Sequence, residues 1–305
     1  MIIGVSPAIR RAAALAERYA RTRLPILLVG ATGTGKELLA QHIHERSGRR
    51  GPLIDVNCCA LPREMVESLL FGHRRGAFTG ATETKLGYVQ RSDGGTLFLD
   101  ELASLALEAQ GKLLRVLETG QVEQLGAATK APVNLRVLAA AQDDIWAALD
   151  GGGFRRDLFQ RVAGVVIELP PLAARPEDIV PLAAHFGQQD GKRLEFGADQ
   201  VLLAYRWPGN VRELRQVIER AGQLVGNGTL PPAALAEAID LGSPEGMGNP
   251  QSARRRRLAA ERAELLSACE AGGWNAKDIA RALGIHRATL FRRLRRVGGS
   301  LRHSS

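Results

Sequence analysis

Hydrophobic and polar positions fall into blocks along the first 170 residues. Short, almost wholly apolar runs stand at 26–29, 53–56, 97–99, 135–140 and 165–169, most of them separated by stretches of helix-like patterning. Runs without a polar face belong to strands covered on both sides, so the alternation predicts a parallel α/β sheet carrying its loops at one edge. Pro170-Pro171 ends the last run. Residues 176–240 change to short helical stretches with no strand signal, which predicts a small helical lid. Residues 242–250 (Gly-Ser-Pro-Glu-Gly-Met-Gly-Asn-Pro) read as a flexible linker, and 254–271 as a helical stretch opening with four arginines. The expected domains are 1–173 (α/β), 174–241 (helical lid), a linker at 242–253 and an all-α unit at 254–305.

The first run leads into Gly30-Ala31-Thr32-Gly33-Thr34-Gly35-Lys36-Glu37. A buried strand, a glycine-rich turn and then a helix (36–46) is the context a phosphate-binding loop requires. Gly30, Gly33 and Gly35 let the backbone turn so that successive N–H groups face a polyphosphate. The helix adds its positive end and Lys36 a mobile cation. Glu37 stands where the general pattern has Ser or Thr to ligate magnesium. The third run, preceded by Asp93-Gly94-Gly95, ends in Asp100-Glu101, about 64 residues after Lys36. At a strand end beside the loop, Asp100 is placed to hold magnesium and Glu101 to orient an attacking water. Alone, that acidic pair reads equally as the start of the next helix. The two motifs in this order predict an ATPase binding ATP and Mg2+, with residues 30–37, 93–95, 100 and 101 around the nucleotide.

Composition narrows the class further. Three cysteines (Cys58, Cys59, Cys269) form no C-x-x-C pair, and an odd number argues against a disulfide framework. His42 and His44 fall on different sides of a helix and make poor metal ligands. The first residues lack the layout of a signal peptide and no apolar run approaches a membrane span, so the expected setting is the cytoplasm, without a membrane partner. The formal net charge is +9, and residues 251–305 hold 13 Lys/Arg against 4 Asp/Glu, leaving 28 of each sign in the rest. A neutral body with a basic tail predicts a separate polyanion-binding module.

Within that tail, residues 276–283 and 286–296 read as two short helices joined at Gly284-Ile285. This is the helix-turn-helix layout for double-stranded DNA. Ile279, Ala280, Leu283, Ile285, Leu290 and Leu294 form its expected core. Lys277, His286, Arg287, Thr289, Arg292, Arg293 and Arg296 are the expected DNA contacts. A solvated basic face or a protein-docking helix remains the alternative. Between the ATPase motifs lies Gly76-Ala77-Phe78-Thr79-Gly80-Ala81, with no acid, base or nucleophile. Its composition favours an ordinary buried turn, with a macromolecular contact as the other reading.

Taken together, these motifs resemble the sigma-54-dependent transcriptional activators, bacterial enhancer-binding AAA+ ATPases with a Fis-type helix-turn-helix, over nearly the whole chain. The resemblance implies an AAA+ parallel-sheet domain with an α-helical lid. It makes residues 76–81 the loop that engages sigma-54 RNA polymerase holoenzyme through Phe78 and Thr79, and Glu37 a usual residue after the lysine. It implies that Asn57 links Glu101 to nucleotide state. Arg155 and Arg161 become arginine fingers acting on a neighbour's ATP in a self-assembled ring (dimer to hexamer), and Arg212, in Trp207-Pro-Gly-Asn-Val-Arg-Glu-Leu214, senses the γ-phosphate. Three departures stand out: Ala141-Gln142 replaces the family's Thr-Asn sensor, which puts full turnover in doubt and leaves a nucleotide-binding switch as the alternative; Leu172-Ala-Ala-Arg175 replaces Leu-Arg-Glu-Arg, with Leu69 for a glutamate; and no receiver or sensory domain precedes the ATPase. Control is then expected from a removed domain, from a regulatory protein acting in trans, or from expression level.

Overall fold

The computed structural model describes residues 2–226, 228–242, 258, 260, 261, 265, 275–283 and 285–296, and it divides into two compact units. The first, residues 1–2 and 7–171, carries helices α1 (Pro7–Ala20), α2 (Lys36–Arg46), α3 (Val66–Phe71), α4 (Tyr88–Arg91), α5 (Leu107–Thr119), α6 (Asp144–Asp150) and α7 (Arg156–Val162). Its strands are β1 (Ile26–Val29), β2 (Leu53–Asn57), β3 (Thr96–Asp100), β4 (Gln121–Glu123), β5 (Lys130–Pro132), β6 (Arg136–Ala141) and β7 (Val165–Glu168). Five of them form one sheet in the order β2-β3-β6-β1-β7, with every pairing parallel.

The apolar runs foretell this sheet because its central strands are covered on both faces. All residues of β1 and β6 are buried. One face packs on α1 and α2 through Ala12, Ala16, Leu39, Ala40 and Ile43, and the other on α5 and α7 through Ala109, Leu113, Leu158 and Val162. Each buried aliphatic side chain contributes about 1.5–3 kcal/mol. Parallel strands with helical returns put every strand's C-terminus, and hence every catalytic loop, at one edge. The antiparallel pair β4–β5 has no counterpart in the sequence expectation; Val122 between polar neighbours and the turn at Gly126 (φ 72°) are its signal.

The second unit, residues 3–6 and 172–305, contains α8 (Ile179–Gln189), β8 (Arg193–Leu194), α9 (Ala198–Leu203), α10 (Asn210–Val225), β9 (Thr229–Leu230) and α11 (Pro232–Gly242). Helices dominate as expected, but β8 and β9 form a two-residue parallel pair where no strand was predicted. Too short to show a pattern, it stitches the turn after α8 to the turn after α10. Helix α11 runs through Gly242, one residue into the expected linker. Near the N-terminus, the Val5 and Ser6 N–H groups donate to Asp178 Oδ1 at 2.6 and 2.7 Å and Ser6 Oγ to Oδ2 at 2.6 Å. Helices α12 (Ala276–Ala282) and α13 (Arg287–Arg296) follow. Gly284, Cys269 and the arginines at 254–257 lie outside the described residues.

Candidate functional site

The loop after β1 is built to close on anions. Gly33 and Gly35 take left-handed φ values of 78° and 108°, and a Cβ on Gly30 would stand 2.4 Å from the Leu169 carbonyl oxygen. Thr34 Oγ1 donates to the Ala31 carbonyl at 2.8 Å, bracing the turn. No side chain caps α2, whose N-terminal end adjoins the loop. Lys36 is only 6% exposed, and its Nζ donates to the Gly30 and Ala31 carbonyls at 2.6 and 3.2 Å. The expected mobile cation is therefore a buried, docked one. A buried ammonium beside an uncapped helix start fits a polyphosphate, and Glu37 and Thr32 lie exposed at the mouth.

Across the same edge, β2 and β3 pair Asn57 with Asp100. Glu101 follows in the left-handed region (φ 52°, ψ 47°), a conformation costing a non-glycine residue about 1–2 kcal/mol. Its N–H donates to Asp100 Oδ1 at 3.0 Å. Gln142, directly after β6, donates from Nε2 to Glu101 Oε1 at 3.1 Å and Oε2 at 3.0 Å. Asn57 Oδ1 accepts the Cys59 N–H at 3.0 Å, capping the turn after β2, and no hydrogen bond joins it to Glu101 in this structure.

The edge is strongly negative. Burial chiefly, then Glu37 and Asp100, raises the Asp55 carboxyl above its ordinary range. Burial, then Asp100, Glu101 and Asp55, pushes the Cys58 thiol up to about 12. Asp55 escaped the sequence reading; an acid in an otherwise apolar strand, two residues before Asn57, was its signal. Among the described residues, no group of three or more His, Cys, Asp or Glu could hold a metal. The donor set suits magnesium held by Asp100 together with phosphate oxygens, not a protein cage. His42 faces Glu17 at 3.6 Å and His44 Nδ1 lies 2.8 Å from Thr96 Oγ1, consistent with structural roles.

Asp93, Gly94 and Gly95 are corrected. They precede β3, whereas the phosphate loop follows β1, so in a parallel sheet they lie at the opposite edge. Their role is packing: the Gly51 N–H donates to the Gly94 carbonyl, a Cβ on Gly95 would sit 2.1 Å from the Pro52 oxygen, and Asp93 Oδ1 accepts the Asn134 N–H at 2.7 Å.

Residues 76–81 form a closed-necked projection. The Gly76 N–H donates to the Ala81 carbonyl at 2.8 Å and the Ala81 N–H to the Phe78 carbonyl at 3.0 Å, with Gly76 and Gly80 at φ 80° and 95°. Ala81 is buried, Thr79 is exposed and Phe78 is 43% exposed. The Phe78 ring leans edge-on against His73 at 5.0 Å, and His73 Nδ1 lies 2.7 Å from Ser68 Oγ. An ordinary buried turn, which composition favours, is not what forms.

The arginines differ among themselves. Arg155 pairs with Asp157 through Nε at 3.0 Å and Nη2 at 2.7 Å, and its N–H donates to buried Gln110. Arg161, at the other end of α7, donates to the Leu117 carbonyl at 2.6 Å. In the second unit, Arg212 is exposed on α10 while its motif neighbours are structural. Trp207 Nε1 donates to the Leu202 carbonyl, Asn210 Oδ1 accepts the Leu172 N–H, and Glu213 accepts from the Gly209 N–H and the Tyr205 hydroxyl.

Helices α12 and α13 pack around Leu265, Ile279, Ala280, Leu290 and Leu294, with Leu283 and Ile285 half-buried against them, as the pattern predicted. Asn275 caps α12 by accepting the Lys277 N–H. Arg287, Ala288, Phe291 and Arg292 are exposed on α13, as are Lys277 and His286 before it. Two expected DNA contacts turn inward: Thr289 is half-buried, and Arg293 Nε lies 3.7 Å from Glu261 Oε1. Phe291, 38% exposed, joins the outward face unforeseen; its four-residue spacing from Arg287 was the clue. Arg296 closes α13, and its side chain lies outside the described residues.

A phosphate loop and an acidic strand end on a five-stranded parallel sheet, followed by a helical lid, define the AAA+ class of P-loop proteins. RuvB from Thermotoga maritima shares the fold (TM-score 0.56, 16% identity, 97% of this chain and 89% of that one). Residues 2–168 match the Sigma-54 interaction domain, 173–251 the AAA+ ATPase lid domain and 252–301 a homeodomain-like domain. The chain belongs to the sigma-54 interaction domain family. NtrX from Brucella abortus, solved in complex with ADP, is 33% identical with a TM-score of 0.71, over 98% of this chain and 70% of that one. The transcriptional activator HyfR of Escherichia coli is 40% identical over 311 residues (93% of this chain, 45% of the relative). The nitric oxide reductase transcription regulator NorR2 of Cupriavidus necator is 41% identical over 331 residues (97% and 63%). The chain thus spans about half to two thirds of these curated relatives. No helix among the described residues is long and apolar enough to cross a membrane.

Proposed function

We propose that this chain is a cytoplasmic ATP-driven activator of sigma-54-dependent transcription. The observation that carries the reading is one unit that docks a buried lysine at a phosphate loop and holds Phe78 and Thr79 out on a glycine-bracketed projection. Lys36 and the N–H groups of the loop and of α2 bind the phosphates of ATP. Asp100 holds magnesium, which when bound neutralises charge on the phosphates. Glu101 positions and deprotonates the attacking water. Arg155 and Arg161 serve a neighbouring protomer's pocket in a ring, and Arg212 responds to the γ-phosphate. The projection engages sigma-54 RNA polymerase holoenzyme, while α12 and α13 bind upstream double-stranded DNA. NtrX, solved in complexes with ADP and with ATP, supports the nucleotide assignment. A regulatory protein acting in trans is compatible with this reading.

Steady-state ATP turnover measured over a range of protein concentrations tests it. Turnover per protomer that rises as the chain assembles is the expected result. Absence of turnover at every concentration would favour the second reading, a DNA-binding regulator that switches on nucleotide binding alone. The observation behind that alternative is Gln142 occupying both carboxylate oxygens of Glu101.

A further inference from the structure

Resting on the DNA-binding reading above, we infer that Phe291 is a specificity-determining residue that reads the methyl group of a thymine in the major groove. Exposure alone says little, since single apolar side chains are common on protein surfaces. Its place on α13 says more. Phe291 takes no part in the small core that Leu290 and Leu294 form with Leu265, Ile279 and Ala280. At 100° per residue, Arg287, Phe291, Ala288 and Arg292 follow one another round the helix over about 140°, and all four are exposed. An apolar pair therefore stands between two cations on one face. Double-stranded DNA offers the complement of that pattern, with phosphates along the walls of the groove and base edges on its floor.

The floor holds one apolar group. Guanine, cytosine and adenine present donors and acceptors there, and thymine adds its C5 methyl group to an acceptor oxygen. A phenyl ring makes no conventional hydrogen bond, so the methyl group is the one base feature that rewards it. Ala288, three residues before Phe291 and adjacent to it on the surface of the helix, carries nothing beyond Cβ and lets the bases come close. Thr289 is half-buried and Arg293 Nε lies 3.7 Å from Glu261 Oε1, on the other flank of α13. The flank between Arg287 and Arg292 is thereby left to the ring.

The full chain first selects its sites from a library of random duplexes, and affinity for a selected duplex is read by fluorescence anisotropy. Each thymine is then replaced singly by uracil, which lacks only the methyl group. Wild-type affinity should fall about fourfold at one thymine of each half-site, the equivalent of one buried methyl group. F291A should bind the unsubstituted duplex about fourfold more weakly and lose nothing further with uracil at that thymine. F291L keeps an apolar end and should retain a penalty of about twofold. Both variants should keep the wild-type salt slope, because no phosphate contact is lost, whereas R292A should lower the slope and keep the uracil penalty. A wild type without a uracil-sensitive thymine, or a uracil penalty that survives in F291A, overturns the assignment. Wild-type affinity and site choice in F291A overturn it too, and hand the ring to a protein surface. A lowered melting temperature in F291A would place the ring in the core and overturn it as well. A wild type that selects no duplex sinks the DNA-binding reading, and the assignment with it; the other outcomes sink the assignment alone.

Discussion

Two glycine-bracketed loops leave the same α/β unit, and each inverts the ordinary rule of burial. The phosphate loop hides a charged side chain, Lys36 at 6% exposure; the 76–81 loop displays an apolar one, Phe78 at 43%. Both rely on glycines in the left-handed region, Gly33 and Gly35 in one, Gly76 and Gly80 in the other. What separates them is the surroundings. Lys36 donates to the Gly30 and Ala31 carbonyl oxygens at the end of a buried strand, so its charge has partners before any ligand arrives. Phe78 has the edge of one histidine on one side and solvent on the other. Glycine spacing thus specifies a tight turn in both; a buried cation suits an anionic ligand, and a displayed aromatic suits the protein surface proposed for it.

The largest effect separating the loops is expected at the lysine. Lys36→Ala removes charge-assisted hydrogen bonds to phosphate and should weaken ATP binding by about 100-fold or more, abolishing turnover, as read by titration with a fluorescent ATP analogue. Ordinary ATP affinity in that variant would break the comparison at its first term. Thr79→Ala touches the other loop and should do the reverse. ATP turnover stays within about twofold because the tip holds no catalytic group, while binding to sigma-54, measured by co-elution with the nucleotide-loaded protein, disappears. A Thr79→Ala protein that still binds sigma-54 removes the projection from the proposed interface.

A smaller contrast of the same kind exists on α13. Arg292 is exposed, whereas Arg293 spends itself on Glu261. Arg292→Ala should cost DNA affinity about tenfold and lower the slope of log K against log salt by about one, the loss of a single phosphate contact. Arg293→Ala should leave that slope unchanged and lower the melting temperature of the DNA-binding helices instead. Equal slopes for both variants would mean that the ion pair to Glu261 opens on DNA.

How much of this was legible beforehand follows from what each signal encodes. Strand runs report burial on two faces, so β1, β3 and β6 are readable from composition, and a glycine-rich turn after such a run announces its chemistry. Side-chain direction is encoded more weakly. Asn57, the last residue of β2, and Gln142, directly after β6, are both amides at the same sheet edge, and only the three-dimensional path of Glu101, with its left-handed φ, decides which one reaches the carboxylate. Asp93, Gly94 and Gly95 could have been excluded from strand direction alone, since they precede a strand where the phosphate loop follows one. Arg293 was also recoverable. At 100° per residue, Arg292 lies about 200° round the helix from buried Leu290, while Arg293 lies about 60° from it, flanking the core side. Asp55 and the pair β8–β9 had no comparable clue beyond one acid in an apolar strand and two residues of extended chain.

The finest test of the two-loop comparison holds the backbone penalty constant and changes only where it is applied. Gly35 (φ 108°) and Gly80 (φ 95°) both require conformations that an L-residue resists, and at both positions a Cβ would meet nothing within 4 Å. Alanine at either position therefore adds about 1–2 kcal/mol of conformational strain and no clash. In Gly35→Ala that strain falls on the turn presenting N–H groups to phosphate, so ATP affinity should drop about five- to tenfold while sigma-54 binding at saturating nucleotide is retained. In Gly80→Ala the strain distorts the projection, so ATP affinity stays at the wild-type value and sigma-54 affinity falls by a similar factor. Isothermal titration of both variants against both ligands gives four numbers, and only an off-diagonal loss, such as weakened ATP binding in Gly80→Ala, would mean that the loops do not act as separate devices.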